Sequence, residues 1–222
     1  MKYEWRKKEK EYYIPKEKPQ LVEIPEFKYF TLKGKGNPNS EAFKECIQVL
    51  YSLSYAIRMM PKNGITPEGY FEYTVYPLEW IWDLSEKCRL EQTLNKDELI
   101  YKLMIRQPNF VNEEIVNMAM EIVKKKKYHP LLEKVEFESI KEGLSVQMLH
   151  VGPYDDEPRT FSIMKSFCSE NNLHIKTLAH KEIYLSDFRK TESSKLKTVL
   201  RYSVEQIVFK SIFFYNIKSI FE

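Results

Sequence analysis

Cysteine and histidine are few in this chain, long apolar runs are missing, and neither sign of charge prevails. Each shortage removes a class of function. The three cysteines, Cys46, Cys88 and Cys168, are odd in number, far apart and without a C-x-x-C pair, which fits reduced thiols in a cytoplasmic protein and speaks against structural zinc. The four histidines, His129, His150, His174 and His180, form neither an H-E-x-x-H pair nor a facing i, i+4 pair, so surface or hydrogen-bonded histidines are expected in place of metal ligands. No stretch approaches the ~18 apolar residues of a membrane helix, and Met1 to Lys10 is a charged run without the apolar core of a signal peptide. With 35 Lys and Arg against 32 Asp and Glu, the net charge of +3 supplies no broad basic field for nucleic acid. Lys33-Gly34-Lys35-Gly36 lacks the third glycine or the Gly-Lys-Ser/Thr ending of a phosphate loop and reads as a turn. Lys124 to Lys127 read as the solvated end of a helix, where they complement its negative pole. No Ser or Cys sits in a nucleophile elbow.

What remains is the balance of a soluble globular protein, 43% hydrophobic and 30% charged over 222 residues, long enough to bury roughly 70% of its unfolded surface. The order of local signals predicts an α+β fold of two related halves, about 21–110 and 130–204, between a charged extension (1–20) and an apolar tail (205–222). In the first half, Phe27 to Lys33 reads as a strand ending at Gly34–Pro38. Asn39 or Ser40 is placed to cap a helix with Phe43, Cys46, Ile47, Leu50, Leu53 and Ile57 inward. Tyr70 to Tyr76 and Glu98 to Arg106 read as two further strands, giving β-α-β-β. In the second half, Leu144 to Val151 is strand-like, and Asp155 or Asp156 is placed to cap a helix with Pro158 in its first turn. Phe161, Met164, Phe167 and Cys168 make its buried stripe. Glu182 to Asp187 and Leu196 to Ser203 then follow as strands. An amphipathic helix over about 112–127 links the halves, with Ile115, Met118, Ala119 and Ile122 inward.

Aromatic residues make up 14% of the chain, and core packing accounts for most of them. Strand alternation also places Glu72, Thr74 and Tyr76 on one face and Glu182, Tyr184 and Ser186 on another, so a carboxylate shares a surface with aromatic rings. Two alternatives stand for Glu182. If two sheets face each other across a cleft it is partly desolvated and its pKa is raised; otherwise it is an exposed Glu on a solvated sheet.

The strand His180-Lys181-Glu182-Ile183-Tyr184-Leu185-Ser186-Asp187, after Val151-Gly152-Pro153-Tyr154, resembles the central strand of GyrI-like small-molecule-binding proteins. Pro67–Glu79, Leu53–Lys62 and Val146–His150 resemble the stand-alone branch of that family, and the likeness spans roughly residues 20 to 204. It implies two pseudo-symmetric β-α-β-β repeats, the SHS2 type of duplication, enclosing a ligand cleft. A DNA-binding domain upstream is not expected, because the chain leaves no room for one. The resemblance further implies that Glu182 is the cleft glutamate, and that the ligand is a flat lipophilic or aromatic compound. A similar subfamily hydrolyses the strained cyclopropane of DNA-alkylating compounds. For that reaction Glu182 is the expected base and Glu157 a helper that orients water or tunes it, the bland reading of Glu157 being an acid that only caps its helix. Tyr76, Trp80, Trp82, Tyr101 and Tyr184 are the expected cage, with Tyr73 turned inward if a bulge forms near Pro77. No cofactor, no metal, no direct nucleic-acid contact and no membrane contact are expected, in a monomer or weak homodimer. The alternatives are a binding protein without turnover and, from another class, a domain acting on a topoisomerase-like partner.

Overall fold

A computed structural model describes residues 1–84, 95–187 and 189–207; Cys88 and the apolar residues from Val208 onward lie outside them. Two short helices, α1 (Trp5–Lys8) and α2 (Lys10–Tyr13), precede strand β1 (Gln20–Lys35) and helix α3 (Glu41–Met59). β2 (Leu78–Leu84), β3 (Leu99–Gln107) and helix α4 (Glu113–Lys126) follow. The second half holds β4 (Glu136–Val151), α5 (Glu157–Glu170), β5 (Leu173–Ile175), β6 (His180–Tyr184) and β7 (Lys197–Gln206). Capping chemistry sets two helix starts: the Ser40 hydroxyl accepts from the Phe43 N–H at 3.2 Å, and the Asn112 side chain accepts from the Ile115 N–H at 3.0 Å. Asp156 stands before α5 but makes no capping bond, because the chain enters that helix through a 3-10 turn at Tyr154–Asp156 and Asp156 is already in the αR region.

The strands pair antiparallel in the order β4-β1-β3-β2-β6-β7, and β4 also pairs with β7, so six strands close on themselves. The halves thus join as one continuous ring of strands and not as two sheets facing across a gap. β5, which the expected β-α-β-β order lacks, extends the ring by pairing with the end of β7.

Register and alternation sort the ring into two faces. Trp82 lies opposite Tyr101, Trp80 opposite Leu103 and Glu182, and Glu182 opposite Leu200. These residues point outward, where α3 packs over Phe30, Leu32 and Leu103, and α5 packs Met164 and Cys168 over Met148, Leu200 and Tyr202. The face turned inward is charged. Lys181 Nζ bonds Glu79 at 2.8 Å and Glu142 at 2.6 Å, and Arg201 bonds Glu142 at 3.2 Å and Gln147 at 2.8 Å. Arg106 pairs with Glu9 and lies over the ring of Phe27.

One strand expectation is corrected here. Tyr70 to Tyr76 is not a strand: it makes a single parallel bridge, Tyr73 beside Tyr3, and the ladder begins only after Pro77, which has no N–H to give. The charged N-terminal residues pack on the domain, with Trp5, Glu9 and Tyr13 buried.

Candidate functional site

β6 presents His180, Glu182 and Tyr184 on the outward face, and Glu182 is 5% exposed. Its Oε2 accepts from Trp80 Nε1 at 2.6 Å and from the Tyr184 hydroxyl, and its Oε1 lies 3.0 Å from His180 Nε2. Donors from two strands therefore hold the carboxylate in one orientation.

Glu157, the first residue of α5, is brought into hydrogen-bond contact with Glu182. It is 7% exposed, and its Oε1 has no donor. Among the described residues neither carboxyl is paired with a lysine or arginine. Burial first, then the charge of Glu182 and that of Asp155, push the Glu157 carboxyl up to about 9. At neutral pH the Glu157 carboxyl therefore keeps its proton. The same burial and the two glutamates push the Tyr154 hydroxyl up to about 12 and that of Tyr184 well above its ordinary value.

Aromatic rings wall this pair on one side. Tyr184 meets Trp80 edge-on with ring centres 4.3 Å apart, and Trp80 and Trp82 are 4.9 Å apart. Phe43 of α3 meets Tyr101 at 4.8 Å and Trp80 at 5.0 Å, and lies parallel to Trp82. Tyr101 reaches this position across Gly34, its partner on β1, where a Cβ would stand 2.5 Å from the ring.

Of the residues expected from the sequence, Glu182, Glu157, Trp80, Trp82, Tyr101 and Tyr184 are brought together. Tyr73 and Tyr76 are placed elsewhere, because their segment leaves the sheet. The Tyr76 hydroxyl donates to Glu9 at 2.8 Å with Arg106 over its ring, and Tyr73 packs among Tyr70, Phe71 and Phe110. Glu72 is exposed. Sequence reasoning missed His180, Tyr154 and Phe43. The parity of His180 with Glu182 was a usable signal; Tyr154, 5.4 Å from Tyr184, and Phe43 gave none beyond core packing. Among the described residues no group of His, Cys, Asp and Glu is arranged to hold a metal, and no helix is long and apolar enough to cross a membrane.

A family model for the GyrI-like small molecule binding domain matches residues 17–203. Among solved structures, a hydrolase from Listeria innocua is 35% identical with a TM-score of 0.83, aligning 92% of this chain with 100% of that one. An uncharacterized conserved protein from the same organism is 36% identical with a TM-score of 0.85 over the same shares. The C-terminal domain of EcmrR, 14% identical with a TM-score of 0.54 over 86% of this chain and 98% of its own, shares the fold alone. No curated protein matches the chain.

Proposed function

Because this chain belongs to the GyrI-like small-molecule-binding family, we propose that it binds flat, lipophilic compounds against the rings of Trp80, Trp82, Tyr101 and Tyr184 and hydrolyses those that carry an electrophilic cyclopropane. The observation that carries this reading is the contact between two buried carboxyls, of which Glu157 is pushed up so that it keeps its proton at neutral pH while Glu182 is held by the donors of Trp80 and Tyr184. That arrangement supplies a base and an acid at one place. Glu182 takes a proton from a water as the water oxygen bonds the ring carbon. The ring carbon–carbon bond breaks, its electrons pass into the substrate's conjugated carbonyl, and the proton of Glu157 goes to the carbonyl oxygen. Transfer of the proton from Glu182 to Glu157 restores the pair. The hydrolase label of the Listeria protein is consistent with such chemistry.

The test is incubation with a duocarmycin-type cyclopropane compound, with the ring-opened product followed by chromatography and mass spectrometry. Glu182→Gln is expected to lower turnover about a hundredfold or more; unchanged turnover in that variant removes the catalytic assignment. One observation favours binding without turnover: both oxygens of Glu182 already have donors, which leaves less room for a water. Saturable quenching of tryptophan fluorescence by lipophilic compounds, with no ring-opened product, selects that reading. We further read the two halves as a duplication, supported by the pairing order, in which β1-β3-β2 of the first half matches β4-β7-β6 of the second.

A further inference from the structure

We propose that this site exchanges a proton for a cation: a flat aromatic cation bound beside Glu157 and Glu182 expels the proton the two carboxyls share, whereas an uncharged ligand of the same shape leaves it in place. The inference rests on the binding reading above and adds how the site responds to ligand charge.

The geometry is that of an unfinished ion pair. Two buried carboxyls are in contact, and among the described residues neither is paired with a lysine or arginine, so a second negative charge beside the first is stabilised by a positive one from outside. Glu157 Oε1 is buried without a donor, an orphan acceptor that a ligand's positive edge or N–H satisfies. The faces of Trp80, Trp82 and Tyr184 attract the same cation. The exchange balances as written: the cation enters, one proton leaves to the buffer, and the charge of the complex equals that of the free site.

Other titratable groups face the pair as well. Asp155 and Tyr154 approach from the turn before α5, and Tyr184 and His180 from β6, with Phe161 and Tyr202 packed on the imidazole. Both tyrosines hold their protons above the neutral range. Measurements between about pH 7.5 and about pH 8.5 stay below the range of both tyrosines, and Glu157→Gln separates the carboxyl pair from His180, whose Nε2 lies 3.0 Å from Glu182 Oε1.

The probes are 10-methylacridinium and its uncharged isostere 9-methylanthracene, followed by tryptophan quenching in parallel with proton release to a pH indicator in weak buffer. The cation is expected to release about one proton, with its Kd falling about tenfold per pH unit, while the isostere releases none and binds equally at both pH values. Glu157→Gln is expected to bind the cation without proton release and with a Kd independent of pH. Cation binding without proton release in the unmodified protein overturns the exchange and leaves the binding reading intact. Proton release that persists in Glu157→Gln also overturns it, by placing the proton elsewhere. Failure of both probes to quench overturns the binding reading itself and the exchange with it.

Discussion

Lys181 and Glu182 are adjacent in β6, yet Lys181 points inward to two carboxylates while Glu182 points outward to another acid. The inward network sets Glu9, Glu79 and Glu142 against Arg106, Lys181 and Arg201, three charges of each sign. The outward cluster sets two carboxyls against Trp80, Tyr184 and His180, with no lysine or arginine paired to either among the described residues. Burial acts on both groups, and the difference lies in what faces them. Burial would raise the Glu142 carboxyl, but Lys181 and Arg201 outweigh it and hold it down at about 2; nothing of the kind offsets the burial of Glu157, which stands at about 9. Balanced buried charge is a way to build a barrel interior. Unbalanced buried charge is a reserve of chemistry.

The contrast is broken most severely by Lys181→Met, which leaves Glu79 and Glu142 buried without their shared cation. A loss of about 3–5 kcal/mol is expected in urea denaturation, against a smaller loss of about 1–2 kcal/mol for Glu182→Gln, whose amide keeps the shape but offers one acceptor oxygen in place of two. Gly34→Ala drives a methyl group into the Tyr101 ring and is expected to cost about 1–3 kcal/mol, with weaker quenching of tryptophan by ligands because the ring is displaced from Trp82 and Phe43.

The smallest effect is a slope. Glu157 is raised in the folded protein from the ordinary 4.5 to about 9, so it favours the folded state fully below the ordinary value and loses that contribution as pH rises through about 9. Glu142 is lowered to about 2, so its contribution is present above the ordinary value and is lost as pH falls through about 2. Stability is therefore expected to decline on both sides, the acid limb from the inward network and the alkaline limb from the outward pair. Glu157→Gln should flatten only the alkaline limb, by less than the ~1.4 kcal/mol per pH unit that one whole proton would give. Chemical denaturation at a series of pH values measures both limbs.

Much of the outward site was legible because alternation is local. The two-residue period that puts Glu182 and Tyr184 on one face also carries Trp80 and Trp82, and the helix stripe of Phe43 to Ile57 follows from spacing alone. The inward network was not legible, because Lys181 meets Glu142 and Glu79 across 39 and 102 residues of chain, and a buried ion pair has the composition of a solvated surface. Tyr70 to Tyr76 misled for a related reason. Its aromatic, β-branched make-up satisfies a strand's preferences, but packing against Tyr3, Phe71 and Phe110 supplies an alternative use for the same side chains. An acid at the start of a helix ordinarily faces water, and nothing local to Asp155-Asp156-Glu157 distinguishes the one that folds inward.

The closure of the six strands has a mechanical meaning as well. The two halves are stitched along two seams, β1 to β4 and β2 to β6, so they cannot part like the shells of a clam without tearing both rows of backbone hydrogen bonds. On the proposed function, a guest is then admitted through the covering layer on the outward face and not by parting of the two halves. On that reading, hydrogen exchange along the seams should be as slow with the site filled as with it empty.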